Sequence, residues 1–259
     1  MKILFIGDIV GSPGRKAVAA LLPRLRKEAG PFDFVLANGE NAAAGFGLTE
    51  RVFQEILDLG VDCLTSGNHI WDKREFLEIL AAEDRILRPA NYPPGCPGLG
   101  VALLERGKRR LAVVNLQGRV FMPVIDCPFR AADAILQDER MPRCVLVDFH
   151  AEATSEKRAL ALYLDGRVSA VIGTHTHVQT ADESILHGGT AYQTDCGMTG
   201  GHGGVIGMKR EGVLPRFLTG MPTRFEVCEE GIRLNGVLLE IDDETGRALD
   251  IRRIDIPLD

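Results

Sequence analysis

Two histidines, His175 and His177, follow a short apolar run of Val168, Ala170, Val171 and Ile172 that ends at Gly173. A continuous run of this kind reads as a strand buried on both faces. In open α/β sheets, ligands gather in the crevice outside the carboxyl ends of the strands. Side chains alternate with period two on an extended segment, so both imidazoles are expected to aim at one place. Neutral imidazole is a common ligand of zinc, iron, copper and nickel. An H-x-H pair alone fits two solvated loop residues equally well, so the ends of the other strands decide the matter.

Four more apolar runs end in the same way. Residues 2–7 lead to Asp8, 32–37 to Glu40 and Asn41, 61–65 to Asn68 and His69, and 144–149 to His150. The set is confined to carboxylate, amide and imidazole, which predicts a shared metal site rather than a scatter of polar strand ends. These candidate ligands are more than one ion takes while keeping open positions. Two cations are therefore expected, with Glu40 as the bridging carboxylate. Gly11 and Gly14 fit neither the G-x-G-x-x-G nor the P-loop spacing, and no G-x-S-x-G elbow is present. The chemistry expected is hydrolysis by water that the metal ions activate.

The elements that must hold these residues alternate between strand and helix. One helix is expected after a tight turn at Gly11, Pro13 and Gly14, with Val18, Leu21, Leu22 and Leu25 on one face and Pro23 as a kink or break. Others are expected from a cap at Thr49 to about residue 59, over 73–82, over 129–139, and from a cap at Thr154 to about residue 164. Strands at 100–104 and 110–116 flank a turn. The stretch 118–128 reads as a surface excursion and candidate lid, 185–194 as a hairpin, 195–208 as a Gly-rich loop, and the chain from Thr223 onward as β-hairpins. This order predicts an α/β fold in which one largely parallel sheet carries the site and a second, more antiparallel sheet from the C-terminal part packs on it. Residues 1–259 are expected to form a single domain.

Composition narrows the function classes. A chain of 259 residues with 45% hydrophobic residues can build a full core. The net charge is −6 and no basic patch is visible, which argues against duplex nucleic acid as a partner and leaves metal ions to neutralise any phosphate. The six cysteines form no C-x-x-C pair, so neither a zinc ribbon nor a redox motif is present, and Cys63 and Cys144 read as reduced core thiols. The first apolar run is too short for a signal peptide and no stretch is long enough to span a bilayer. A cytoplasmic protein without a membrane partner is expected, with homo-oligomerisation left open.

Gly7-Asp8, Gly67-Asn68-His69, His150 after a strand, and Thr174-His175-Thr176-His177, in this order over residues 1–180, resemble the calcineurin-like metallophosphoesterases. From Gly7-Asp8-Ile9-Val10-Gly11 through Thr194-Asp195-Cys196-Gly197-Met198, the chain is more similar to the YmdB-like branch, whose members are reported as cyclic-nucleotide phosphodiesterases. The resemblance implies a four-layer sandwich of two packed mixed β-sheets flanked by helices. It implies Asp8, Glu40, Asn41 and His177 around one ion, and Glu40, Asn68, His150 and His175 around the other. His69 corresponds to a catalytic residue outside the ligand set. Val10 stands where the broader superfamily usually has a histidine, and Gly39-Glu40-Asn41 replaces the usual Gly-Asp. One imidazole is lost and an amide oxygen gained, and this harder site favours iron or manganese over zinc.

The expected function is a dinuclear metal-dependent phosphodiesterase for small phosphodiesters, with His69 as the general acid. The resemblance implies 2′,3′-cyclic nucleotides as substrates. Three alternatives stand beside it: a metal-dependent phosphatase, a hydrolase of non-phosphate esters, and a regulatory protein that senses metal or ligand with little turnover. For substrate contacts the sequence offers His202, Thr154 and Lys157 at the start of a helix as possible phosphate contacts, and Phe121 with Met122 as a possible base pocket; His202, Thr154 and the apolar pair also read as ordinary loop, cap and packing residues. Asp8 as a turn cap, and Asn41 as a partner that merely orients Glu40, also remain open.

Overall fold

Ile3 and Phe5 face one way from the first strand, β1 (Lys2–Ile6), while Leu4 and Ile6 face the other, and each pair enters a different core. The computed structural model describes residues 1–258. After β1 come β2 (Asp8–Ile9), α1 (Gly11–Glu28), β3 (Phe34–Asn38), α2 (Glu50–Asp58), β4 (Cys63–Thr65) and α3 (Leu77–Ala82). The middle of the chain holds β5 (Val101–Arg106), β6 (Arg109–Gln117), α4 (Pro128–Leu136), β7 (Val145–His150), α5 (Thr154–Leu164) and β8 (Ala170–Thr174). The remainder holds β9 (Ser184–Ile185), β10 (Ala191–Gln193), β11 (Met198–Gly201), α6 (Arg210–Thr219), β12 (Ile232–Ile241) and β13 (Ala248–Pro257).

One sheet runs β2-β11-β12-β1-β3-β4, with β13 also paired to β12, and the other runs β5-β6-β7-β8-β10-β9. Both are mixed. β1, β3 and β4 are parallel, but β12 runs antiparallel to β1. In the second sheet β6, β7, β8 and β10 are parallel, and the edge strands β5 and β9 are antiparallel. Between the sheets lie Ile3, Phe5, Leu36, Val113, Leu146, Ile172 and Val237, all fully buried. The outer face of the first sheet carries α1 and α2, through Val18, Leu22, Val52 and Ile56. The outer face of the second carries α4 and α5, through Ala132, Leu160 and Leu164. The result is the helix–sheet–sheet–helix arrangement expected from the resemblance.

The split between the sheets corrects the simpler expectation. The C-terminal hairpin β12–β13 does not form a sheet of its own; β12 fills the place beside β1, and the middle of the chain builds the second sheet. Alternation in the sequence marks β12 as a strand but does not say which edge it meets. Helix α1 begins directly at Gly11, and Pro13 sits in its first turn, where a missing N–H costs no helical bond. It also continues through Pro23, whose neighbourhood is exposed, so water can serve the carbonyl that proline leaves unpaired. The helix expected over 73–82 is 3-10 turns at Asn68–Trp71 and Arg74–Phe76 followed by the six-residue α3. Thr49 caps α2 as expected, accepting from the Val52 amide at 3.4 Å. Thr154 does not cap α5: Ala153 holds that position and Thr154 is the first helical residue. The loop 195–208 contains β11, which bridges β2 and β12, and α6 was not anticipated.

Candidate metal centre and substrate cleft

The carboxyl ends of strands from both sheets meet at one edge. Asp8 opens β2, Glu40 and Asn41 follow β3, and Asn68 and His69 follow β4, all in the first sheet. His150 ends β7, and His175 and His177 follow β8, in the second. The site therefore spans two sheets, not the one parallel sheet expected. Glu40, His150 and His175 bring one ligand atom each within 4.8 Å of one another. His150 Nε2 lies 3.1 Å from Glu40 Oε1 and 3.0 Å from His175 Nδ1. The Asn41 amide nitrogen donates to the same oxygen, Glu40 Oε1, at 3.3 Å and meets His177 Nε2 at 3.1 Å. His177 Nε2 in turn lies 3.8 Å from Asp8 Oδ1. Asn68 is held between Gly67, which packs on the His150 ring, and His69, whose amide donates to Glu40 Oε2 at 3.0 Å. A Cβ on Gly67 would stand 2.1 Å from that ring, so only glycine fits.

The two histidines after β8 converge by a route the sequence does not show. His175 has φ 99° and His177 has φ 65°, both left-handed, so the segment is a tight turn and not an extended strand. Such conformations cost non-glycine residues of the order of 1–3 kcal/mol and persist where the surroundings impose them. Here Asp195 imposes it. Its Oδ2 accepts from the Thr176 amide at 3.1 Å, the Thr176 hydroxyl at 2.8 Å and Lys157 Nζ at 2.7 Å, while Oδ1 accepts from the Gly197 amide. Lys157, raised in the sequence as a possible phosphate contact, is buried in this ion pair. Asp195→Ala strands a buried ammonium and is expected to lower unfolding stability by about 3–5 kcal/mol, read by urea denaturation. A loss below about 1 kcal/mol would contradict a clamp of this kind.

Each of the three histidines points one nitrogen into the site and donates with the other. His177 Nδ1 donates to the Ile206 carbonyl at 3.0 Å, and His175 Nε2 meets Glu152 Oε2 at 3.1 Å. His150 Nδ1 meets the Thr174 hydroxyl at 2.9 Å, which donates to Asp148 Oδ1 at 2.7 Å. Asn38 donates to Asp148 Oδ2 and accepts from the Glu40 amide. Outer partners of this kind fix the tautomer of metal-ligating imidazoles. Thr174, Asp148, Asn38, Asp195 and Glu152 were missed in the sequence. A charged residue inside the apolar run Val145-Leu146-Val147-Asp148-Phe149 was the available signal, because a buried carboxylate needs dedicated partners. Asp148→Asn is expected to weaken metal affinity 10–100-fold, measured by chelator competition.

The electrostatics suit a cation. Burial pushes Asp8 well above the ordinary carboxylate range; His150 opposes this, and Glu40, Asp195 and Asp148 add to it. Burial also works upward on Glu40, but the adjacent His150 holds it down at about 2. Burial works downward on His150, yet Glu40, Asp8 and Asp148 raise it to about 9. His175 is lowered to about 3 by burial and the neighbouring His150, and His177 is lowered by burial, so both are neutral imidazoles able to ligate. Three buried oxygens, Asp8 Oδ1, Asn41 Oδ1 and Asn68 Oδ1, have no hydrogen-bond partner. Asp8 does not cap α1, which has no side-chain cap, and Asn41 donates to Glu40 while its own oxygen is left without a partner.

Glu40, Asn41, His69, His175 and His177 face a cleft of roughly 820 Å³. Its walls are apolar: Phe46 beside His69, then Val178, Ile206 and Met208, and across from them Phe217 and Phe225. Helix α6 and the segment after it thus supply the wall that the sequence reading sought elsewhere. Phe121 is 87% exposed and the 118–128 segment does not line the cleft. Thr154 is exposed and also absent from it. His202 bonds to the Met198 carbonyl and lines a smaller neighbouring cavity behind His177.

Two packed mixed sheets with carboxylate, amide and imidazole groups at their converging strand ends define the metallophosphoesterase class. The structure of Haemophilus influenzae NAD nucleotidase has this fold, with a TM-score of 0.60 over 99% of this chain and 56% of that one at 14% identity. Within that class, a sequence model described as YmdB-like protein matches residues 4–254, and the chain belongs to the YmdB-like family. It is 51% identical over 256 residues to the 2′,3′-cyclic-nucleotide 2′-phosphodiesterase of Bacillus subtilis, covering 98% of this chain and 96% of that protein. The crystal structure of a hypothetical protein from Thermus thermophilus superposes with a TM-score of 0.93 at 47% identity, over 99% of both chains.

Proposed function

We propose that the protein is a dinuclear metal-dependent phosphodiesterase that opens the 2′ ester of 2′,3′-cyclic nucleotides. One observation carries the metal reading: Glu40, His150 and His175 converge beside a cleft that Glu40, Asn41, His175 and His177 line, and three buried oxygens on the same strand ends, of Asp8, Asn41 and Asn68, have no hydrogen-bond partner. An unpaired buried acceptor costs about 1–3 kcal/mol, a cost that a cation would offset. The similarity to the Bacillus enzyme supports the substrate class.

Asp8, Glu40, Asn41 and His177 would hold one ion, and Glu40, Asn68, His150 and His175 the other. In support of this division, Glu40 contacts both Asn41, which meets His177 beside Asp8, and His150, which meets His175. Four of the seven donors are oxygen side chains, which favours iron or manganese over zinc. Bound there, the ions would neutralise phosphate oxygens and bring a water molecule's pKa near neutrality. The remaining work belongs to the chain. His69 lines the cleft with its Nδ1 engaged by Asp72 Oδ2 at 2.9 Å and its ring edge-on to Phe46, so Nε2 is the nitrogen left to deliver a proton to the leaving 2′ oxygen. The apolar wall seats the base and keeps bulk water away.

No helix among the described residues is long and apolar enough to cross a membrane. The six cysteines are all unpaired, in keeping with a cytoplasmic enzyme acting on small phosphodiesters. The test is a substrate panel with metal analysis. Purified protein is expected to hold close to two transition-metal ions per chain and to cleave 2′,3′-cyclic nucleotides and model diesters faster than monoesters. Dominant monoester hydrolysis would make it a phosphatase instead.

A further inference from the structure

The cleft does not end at its apolar wall. A second concavity of roughly 500 Å³ adjoins it, and Phe225 lines both. One loop links the two: Gly45 and Phe46 face the cleft, while Ala43 and Ala44 face the basin. Gly47, next in that loop, packs against the stem of Lys73 and the His69 carbonyl. The basin is lined by five basic side chains and only two carboxylates, in a chain whose net charge is −6. Arg15 is held by Glu55 at 2.8 Å and Lys209 by Glu226 at 3.0 Å. Among the described residues, the side chains of Arg51, Lys73 and Arg224 make no hydrogen bond or ion pair. Arg51 and Arg224 are exposed, and Lys73 is half-buried with its stem against the loop at Gly47.

We propose that this site accepts the 2′,3′-cyclic phosphate terminus of a short single-stranded RNA, with the upstream backbone phosphates on Arg51, Lys73 and Arg224. The proposal rests on the phosphodiesterase reading above and extends it. The cleft alone has the volume of an ordinary small-molecule site, so the basin is room beyond one nucleotide. The terminal base stacks on the aromatic wall of Phe46, Phe217 and Phe225, as unpaired bases do on single-strand binding surfaces. The chain then leaves past Phe225 into the basin. Water adds to phosphorus, the P–O2′ bond breaks, O2′ takes a proton, and the strand ends in a 3′-phosphate.

The experiment compares kcat/KM for a tetraribonucleotide ending in a 2′,3′-cyclic phosphate with that for the cyclic mononucleotide, using metal-loaded protein. The oligomer is expected to be preferred at low salt. That preference should shrink roughly 20-fold between about 50 and 200 mM salt, from about 0.7 counterions released per contact over three phosphates. The triple variant Arg51→Ala, Lys73→Ala, Arg224→Ala is expected to bring the ratio toward one. Fluorescence anisotropy with the labelled 3′-phosphate product should show weaker binding to the variant by a similar factor. Should the triple variant not fold, the salt dependence of the unaltered protein and the single variant Arg51→Ala decide the matter. Equal kcat/KM for the two substrates, or a preference indifferent to salt and to the substitutions, would overturn the proposal. So would a 5′-phosphorylated cyclic mononucleotide that captures the whole preference. If neither substrate is cleaved, the phosphodiesterase reading fails, and the anisotropy alone decides whether the basin binds RNA.

Discussion

His69→Ala is expected to lower kcat about 10²–10⁴-fold on a cyclic nucleotide while leaving metal content and KM nearly unchanged. The residue contributes no ligand atom to the cluster of Glu40, His150 and His175. Its ring is fixed by Asp72 on one side and Phe46 on the other, over the cleft. A general acid matters only as charge grows on the leaving oxygen. The loss should therefore be largest for a ribose alkoxide and much smaller for p-nitrophenolate, which leaves without help. Equal losses for both leaving groups, with metals intact, would remove His69 from the acid role. Loss of metal in the variant would make it a ligand. An unchanged kcat on the best substrate would rule out any proton transfer by this residue in the slow step.

Glu40→Ala is expected to reduce metal content from about two ions per chain to one or none, and kcat/KM by about 10³-fold or more. Metal ions supply several kcal/mol of transition-state stabilisation, and each ~1.4 kcal/mol is a factor of ten. The reason lies in the position of the side chain. Oε1 faces both His150 and Asn41, and Oε2 accepts the His69 amide, so this carboxylate touches residues of both proposed ion sites and the backbone of the proposed acid. Elemental analysis and steady-state kinetics on the same preparation read both effects. Full retention of two ions in Glu40→Ala would show that the halves do not share this ligand. Asp8→Asn tests the other edge: it should impair the Asp8–Asn41–His177 half and leave the imidazole-rich half able to bind one ion.

The residues at the strand ends were legible because a buried strand is a run of apolar residues and its end is wherever the run stops. Asp8, Glu40, His150 and His175 each follow such a run, and chain order alone fixes which side chain stands at each strand terminus. Local signals of this kind also set the first strand, the capped helix after Thr49 and the C-terminal hairpin. Which sheet each strand joins was beyond them. β12 pairs with β1 across more than two hundred residues, and its alternation is equally compatible with another edge. The turn carrying His175 and His177 was misread as extended because nothing in Thr174-His175-Thr176-His177 reveals left-handed φ values. Asp195 and Lys157, distant in sequence, impose them. The same holds for the cleft wall. Phe46, in a loop, and Phe217, in α6, carry no local pattern that marks them, and only the fold brings both to the cleft. Sequence by itself determined which chemical groups stand at the strand ends, since that depends on residue type and local period. Only the tertiary structure decided that those ends belong to two sheets facing one cleft, because that depends on long-range pairing and on buried polar contacts that no local pattern encodes.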